Sequence, residues 1–220
     1  MSIVNTRQIA KSNNKTKLIE FNDMMQYNDF SEVAGIKRST VHSKFSRIRV
    51  TIVDWTNGKG ENAVVVNHNL TPINIKTIAE LVLSGNTEMF EQTDKYSKKT
   101  GYYEQKIDHR TIDDKGLSPV SRFNIRYQAN MASPWTITIE NGMGVVAVSD
   151  IGGISIKSGS YKELRSATVY LSKTEMIAKM IEIRDYILAF ENAGIKDMLE
   201  CRNTFEKKQA EQYKFNMKKR

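Results

Sequence analysis

The sequence predicts an α+β protein made of two antiparallel sheet-then-helix units, read as an internal pseudo-repeat, with basic arms at both ends. Three observations carry that prediction. Short segments alternate apolar and polar residues with the period of two that a half-buried strand requires, as in "FSRIRVTIVDW" at 45–55 and "RFNIRYQ" at 122–128. Each run of such segments leads into Leu-Thr or Leu-Ser and then into apolar spacing of helical period, at 70–85 and 171–194. The net charge of +8 is terminal: residues 1–50 and 201–220 each carry +5, and the 150 residues between them carry −2.

Taken in order, residues 1–44 are expected to form an N-terminal basic arm, flexible or partly helical, because they are polar as far as residue 20 and contain Asn13-Asn14. Within it "AGIKRSTV" has the glycine turn, apolar neighbour and Ser-Thr-Val of a helix-turn-helix over residues 30–45, although Lys44 falls where that motif buries an aliphatic residue. Residues 45–91 make the first unit. Strand 45–55 turns through "TNGKGEN", whose glycines allow positive φ, into "AVVVN". The helix that follows has Thr71 as N-cap, Pro72 at its first position, Leu70 and Ile75 as a hydrophobic staple, and Gly85 beyond its end.

Residues 92–118 read as a polar insertion or linker, with tyrosines interleaved among lysines. Residues 119–194 make the second unit. Strands at "RFNIRYQ", "PWTITIENG", "GISIKSG" and "ATVYL" precede a helix opened by the capping box Ser172-x-x-Glu175 and the staple pair Leu171 and Met176. Met176, Met180, Ile183 and Ile187 form one stripe of that helix, Ile177, Ile181 and Leu188 lie beside it, and Gly194 is expected to end it. Residues 195–220 are a basic C-terminal helix or tail.

The longest aliphatic run, "AVVV" at 63–66, is far short of the ~18 residues of a membrane span, so no membrane partner is expected. The N-terminus lacks the apolar core of a secretory signal, which leads to a cytoplasmic expectation. Cys201 is the only cysteine, which excludes an intrachain disulfide and a thiolate cluster. The Lys-, Asn- and Ile-rich composition suits a low-GC bacterium, its phage or a plasmid.

Catalytic signatures are sparse. His42, His68 and His109 are widely separated and show no metal-binding spacing. "GGISIKS" places Ile156 where a phosphate loop needs glycine, and Gly142-Met143-Gly144 reads as a turn. The most enzyme-like pattern is Asp94 followed by Glu104-Gln105-Lys106, the carboxylates and lysine of some metal-dependent nucleases. It stays a minor alternative, and the expectation is a protein that is not an enzyme and takes no metal or cofactor.

The polar faces of the strands carry the functional expectation. Single-stranded nucleic acid is held by cations that follow phosphates and by flat side chains on which bases stack. Arg47, Arg49, Arg122 and Arg126 supply the former. Trp55, Trp135, Tyr161 and Tyr170 are stacking candidates, and Lys157 and Lys162 are close in sequence. The candidate binding set is Arg47, Arg49, Trp55, Arg122, Arg126, Lys157, Tyr161 and Lys162, and it requires the four guanidinium groups to emerge on one shared wet concavity.

Basic strands leading into a Leu-Ser-x-x-Glu-capped amphipathic helix, above all "SGSYKELRSATVYLSKTEMIAKMIEIRDYI" at 158–187 and more faintly residues 45–85, resemble the Whirly and positive-cofactor-four type of single-stranded-DNA-binding proteins. The resemblance is architectural. It implies curved antiparallel sheets, a helix that packs or dimerises, and DNA contact through Lys157, Tyr161, Lys162 and the strand arginines. Residues 92–118 and the basic tail "FNMKKR" depart from it. The expected partner is single-stranded nucleic acid, DNA before RNA, bound by a homo-oligomer. The alternatives are a duplex-DNA regulator acting through residues 30–45 and an interaction or structural module whose charge is incidental.

Overall fold

The structure is a computed structural model that describes residues 6–27, 43–91 and 101–218, without the side chains of 201, 202, 205, 209 and 212–218. The α+β class is correct, with two antiparallel sheets. The first is a meander of β1 (Gln8–Asn13), β2 (Lys17–Met24), β3 (Arg47–Asp54) and β4 (Val64–Leu70), followed by α1 (Pro72–Leu83) and the single turn α2 (Glu88–Glu91). The second contains β5 (Tyr102–Ile107), β6 (Leu117–Tyr127) and the 14-residue β7 (Trp135–Val148). The far side of β7 is shared by short β8 (Ile154–Ile156) and long β9 (Lys162–Leu171), and α3 (Lys173–Lys218) follows.

The pleat sorts side chains as the alternation requires. Ile48, Val50 and Ile52 are fully buried while Arg47, Arg49 and Thr51 stay partly exposed on the other face. In β6, Phe123, Ile125 and Tyr127 are buried opposite Arg122, Asn124 and Arg126. The inner faces of both sheets, α1, and the Met176–Ile187 stripe of α3 share one hydrophobic core. The sheets cross: β4 runs over β6, β7 and β9, and β9 runs over β2, β3 and β4.

Both helix starts follow their capping chemistry. Thr71 Oγ1 accepts from the Asn74 amide at 3.2 Å, and the staple residues Leu70 and Ile75 are buried. Ser172 Oγ accepts from the Glu175 amide at 3.2 Å, and Glu175 Oε2 accepts in return from the Ser172 amide at 2.9 Å. These two hydrogen bonds hold the Glu175 carboxyl below its ordinary value.

Three boundaries differ from expectation. Residues 8–24 are a hairpin of the first sheet, not an arm. Asn14 makes its turn by accepting from the amides of Thr16 and Lys17, and Ile19 and Phe21 reach the core. The region 92–118 holds a strand, because residues 102–107 pair with β6, while residues 92–100 lie outside the described chain. Gly194 does not end α3, which runs on to Lys218. Gly85 takes φ +74° and closes α1, whereas Gly194 has no positive φ, and a glycine left inside a helix costs only about 1 kcal/mol. The helix-turn-helix reading of residues 30–45 falls mostly on residues 28–42, outside the described chain, as does Asp94 of the nuclease alternative.

Candidate functional site

On the outer face of the second sheet, cross-strand pairing sets three rows side by side: Gln105, Arg122, Glu140 and Ser166; Tyr103, Asn124, Thr138 and Thr168; and Arg126, Thr136 and Tyr170. Gly142 extends the first of these faces along β7, next to a bulge at Asn141. A Cβ at Gly142 would run into the Lys162 carbonyl oxygen and stand 2.8 Å from the Tyr161 ring, so the bare backbone there is what lets residues 161 and 162, ring included, lie against β7. The Arg122 guanidinium then stacks on that ring, 3.4 Å from its centre.

Arg122 is fixed from two further sides. Its Nε donates to Gln105 Oε1 at 3.0 Å, and its Nη1 lies 3.5 Å from Glu140 Oε2. Tyr103 OH donates to the same Gln105 oxygen at 3.2 Å. Burial and the Glu140 carboxylate push the Tyr161 hydroxyl up to about 12, and burial also raises that of Tyr103, so both rings are neutral at pH 7.

The structure therefore brings Arg122 and Tyr161 into contact and places Arg126 on the same face, with Lys157 and Lys162 exposed on the segments flanking Tyr161. Arg47 and Arg49 are not part of this cluster. They belong to the outer face of the first sheet, and because the inner faces of both sheets enclose one core, the two wet faces look away from a common interior rather than into one concavity. Arg47 Nη1 is turned back onto the carbonyls of Lys44 and Ser46, and Arg49 Nε donates to Asn69 Oδ1 at 3.2 Å. Trp55 braces the β1–β2 turn through a 2.8 Å bond from Nε1 to the Lys15 carbonyl. Trp135 is core, packed edge-on to Phe90 and tilted on Tyr127, while Tyr170 is exposed.

The inner side of the crossing holds a polar cluster that sequence reasoning saw only in part. His68 of β4 is buried, stacked on Phe123, with Nδ1 2.8 Å from Ser121 Oγ. Its Nε2 faces Glu104 Oε1 at 3.6 Å. Glu104 also accepts from Asn74 Nδ2 at 2.8 Å and Tyr102 OH at 2.9 Å, and Lys106 Nζ lies 3.1 Å away. Burial opposes ionisation of Glu104, but these donors and the two nearby bases outweigh it and hold the carboxyl at about 2. Burial pulls His68 below its ordinary value, so its ring is neutral at pH 7. Asn141 completes the seam, exchanging hydrogen bonds with the Asn67 backbone and donating to Ser121 Oγ.

The spacing of Glu104 and Lys106, two apart on one strand, was the signal for this cluster. Its partners come from β4, α1 and β6, which no local pattern announces. Both Glu104 oxygens are occupied by side chains of the protein, and among the described residues no three His, Cys, Asp or Glu side chains converge as metal ligands. No described helix is long and apolar enough to cross a membrane. No family model, curated protein or solved structure matches the chain.

Proposed function

We propose that this protein binds single-stranded nucleic acid on the outer face of its second sheet, without strong sequence preference. The observation that carries the reading is the Arg122–Tyr161 stack on a sheet face that also carries Tyr103, Arg126 and the exposed Tyr170. Cations alternating with flat rings over neighbouring strands are what an unpaired strand needs: phosphates are met by charge, and bases are stacked whatever their identity.

Glu140 offsets Arg122 and makes it a brace for Tyr161 more than a phosphate ligand. Phosphate contact therefore falls to Arg126, Lys157 and Lys162, and stacking to the exposed Tyr170, while Tyr161, seated between the Gly142 backbone and Arg122, shapes the face. The first sheet is a scaffold in this reading, since Arg47 is spent on its own backbone and Arg49 faces the other way. The test is a mobility shift of the full chain against single-stranded, duplex and RNA probes, with and without magnesium. A shift of oligo-dT and single-stranded RNA at moderate salt, unaffected by magnesium and weaker on duplex, supports the proposal. Preference for duplex favours a regulator acting through residues 30–45, cleavage with magnesium favours the nuclease, and no shift favours an interaction module.

A further inference from the structure

Beyond the core-facing stripe, α3 carries a second apolar stripe that the described residues leave partly exposed. Ile177, Ile181, Leu188, Ile195 and Leu199 are each 40–43% exposed. At about 100° per residue they fall within about 40° of one another, roughly 100° round the helix from Met176, Met180, Ile183 and Ile187, and they extend for about 33 Å. Their spacing is 4, 7, 7 and 4, which is symmetric about Leu188.

We infer that α3 pairs with α3 of a second copy of this chain, antiparallel, with the two-fold axis beside Leu188. That arrangement sets Ile177 against Leu199, Ile181 against Ile195, and Leu188 against itself, so every exposed apolar residue of the stripe meets another. A two-fold contact must be self-complementary in this way.

The flanking charges match the antiparallel direction. Arg184 and Glu191 flank the stripe on the same side, and antiparallel pairing about Leu188 brings Arg184 of one copy to within one residue of the level of Glu191 in the other. On the opposite flank Asp185 comes to within one residue of the level of Asn192. A parallel, in-register pair would turn the Arg184–Glu191 flanks of the two copies to opposite sides of the contact, so this meeting of Arg184 with Glu191 belongs to the antiparallel arrangement alone. Within one chain Arg184 is held by Asp185 and Glu191 by Lys76, so these side chains are already ordered at the edge of the stripe. The pairing stands independently of nucleic-acid binding.

Sedimentation velocity of the full chain at high micromolar concentration is expected to show a dimer. Leu188→Glu, which places two carboxylates at the dyad, is expected to give a monomer with unchanged far-UV circular dichroism; Ile195→Glu serves as the second variant should that one fail to fold. In a Cys201→Ser background, Leu188→Cys should cross-link to itself with a short bis-maleimide. Ile181→Cys should cross-link only when mixed with Ile195→Cys, because two copies of residue 181 lie about 21 Å apart across the dyad. A monomeric wild type, a dimer indifferent to both glutamates, or self-cross-linking of Ile181→Cys would overturn the inference.

Discussion

The two sheets follow one plan inside and different plans outside. Both bury alternate Ile, Val and Phe residues against helices, and both feed a helix through Leu-Thr or Leu-Ser with a bonded cap. On the outside, the first sheet shows Glu20, Thr51 and Asn67 in one row and Asn22, Arg49 and Asn69 in the next. A third row, Leu18, Val53 and Val65, is apolar, and the described strands place no aromatic ring on that face. The outer face of the second sheet has tyrosines from β5, β9 and the segment before β9, and a glycine that seats one of them under an arginine. A shared inner pattern therefore does not imply a shared surface: packing constrains one face of a strand and leaves the other free to acquire a different role.

The largest effect is expected where the sheets depend on each other. Phe123 stacks on His68 of the first sheet and meets Tyr102 edge-on, so Phe123→Ala should cost about 3–5 kcal/mol. Chemical denaturation followed by both tryptophan fluorescence and circular dichroism should still give one transition. Two separated transitions would show that the sheets fold independently and that the seam is incidental.

The next effect is a pH dependence of that seam. Glu104 titrates at about 2 in the folded chain against an ordinary 4.5, so the unfolded chain binds more protons in that window. Its stabilisation is present above pH 4.5 and lost as pH falls toward 2, and amounts to at most about 3 kcal/mol. Asp54, held at about 2 chiefly by Lys17 and Thr56 against burial, titrates over the same range. His68 is lowered, so its contribution is present above pH 6.5 and declines below it. Melting temperatures should begin to fall below pH 6.5 and drop faster below 4.5, and Glu104→Gln should flatten the lower limb without removing that of Asp54. An acid limb identical in wild type and Glu104→Gln would refute this ionisation pattern.

Surface substitutions sharpen the contrast between outer faces. Tyr170→Ala should weaken oligo-dT binding by about 1–3 kcal/mol, as loss of a stacking platform does. Ser172→Ala removes one half of the capping box and should cost about 1 kcal/mol of stability with no effect on binding, read by thermal denaturation and anisotropy in parallel.

Much of the fold was legible because its determinants are local. Period-two alternation placed β3 and β6 with the correct face inward, and Thr71 and Ser172 placed both helix starts. Failures occurred where local chemistry has two uses. Asn13-Asn14 suits a disordered arm as well as a tight turn, and only pairing of β2 with β3 decides between them. Gly194 suits a helix end as well as an interior, which depends on a conformation the sequence does not encode. In the candidate site, parity correctly set Arg122 and Arg126 opposite the core, and Tyr161 was among the named residues. The sharing of one concavity with Arg47 and Arg49 was not legible, since it depends on how two sheets cross, and that is decided by side chains distant in sequence such as His68 and Phe123.

The central claim, that one outer face binds and the other does not, is tested most directly by anisotropy titrations of labelled oligo-dT over a salt series with Arg126→Ala and Arg49→Ala. The account predicts that Arg126→Ala weakens binding and reduces the slope of log K against log salt by about 0.7, the share of one phosphate on a single strand, while Arg49→Ala matches wild type. Equal losses in both variants, or a loss confined to Arg49→Ala, would contradict it.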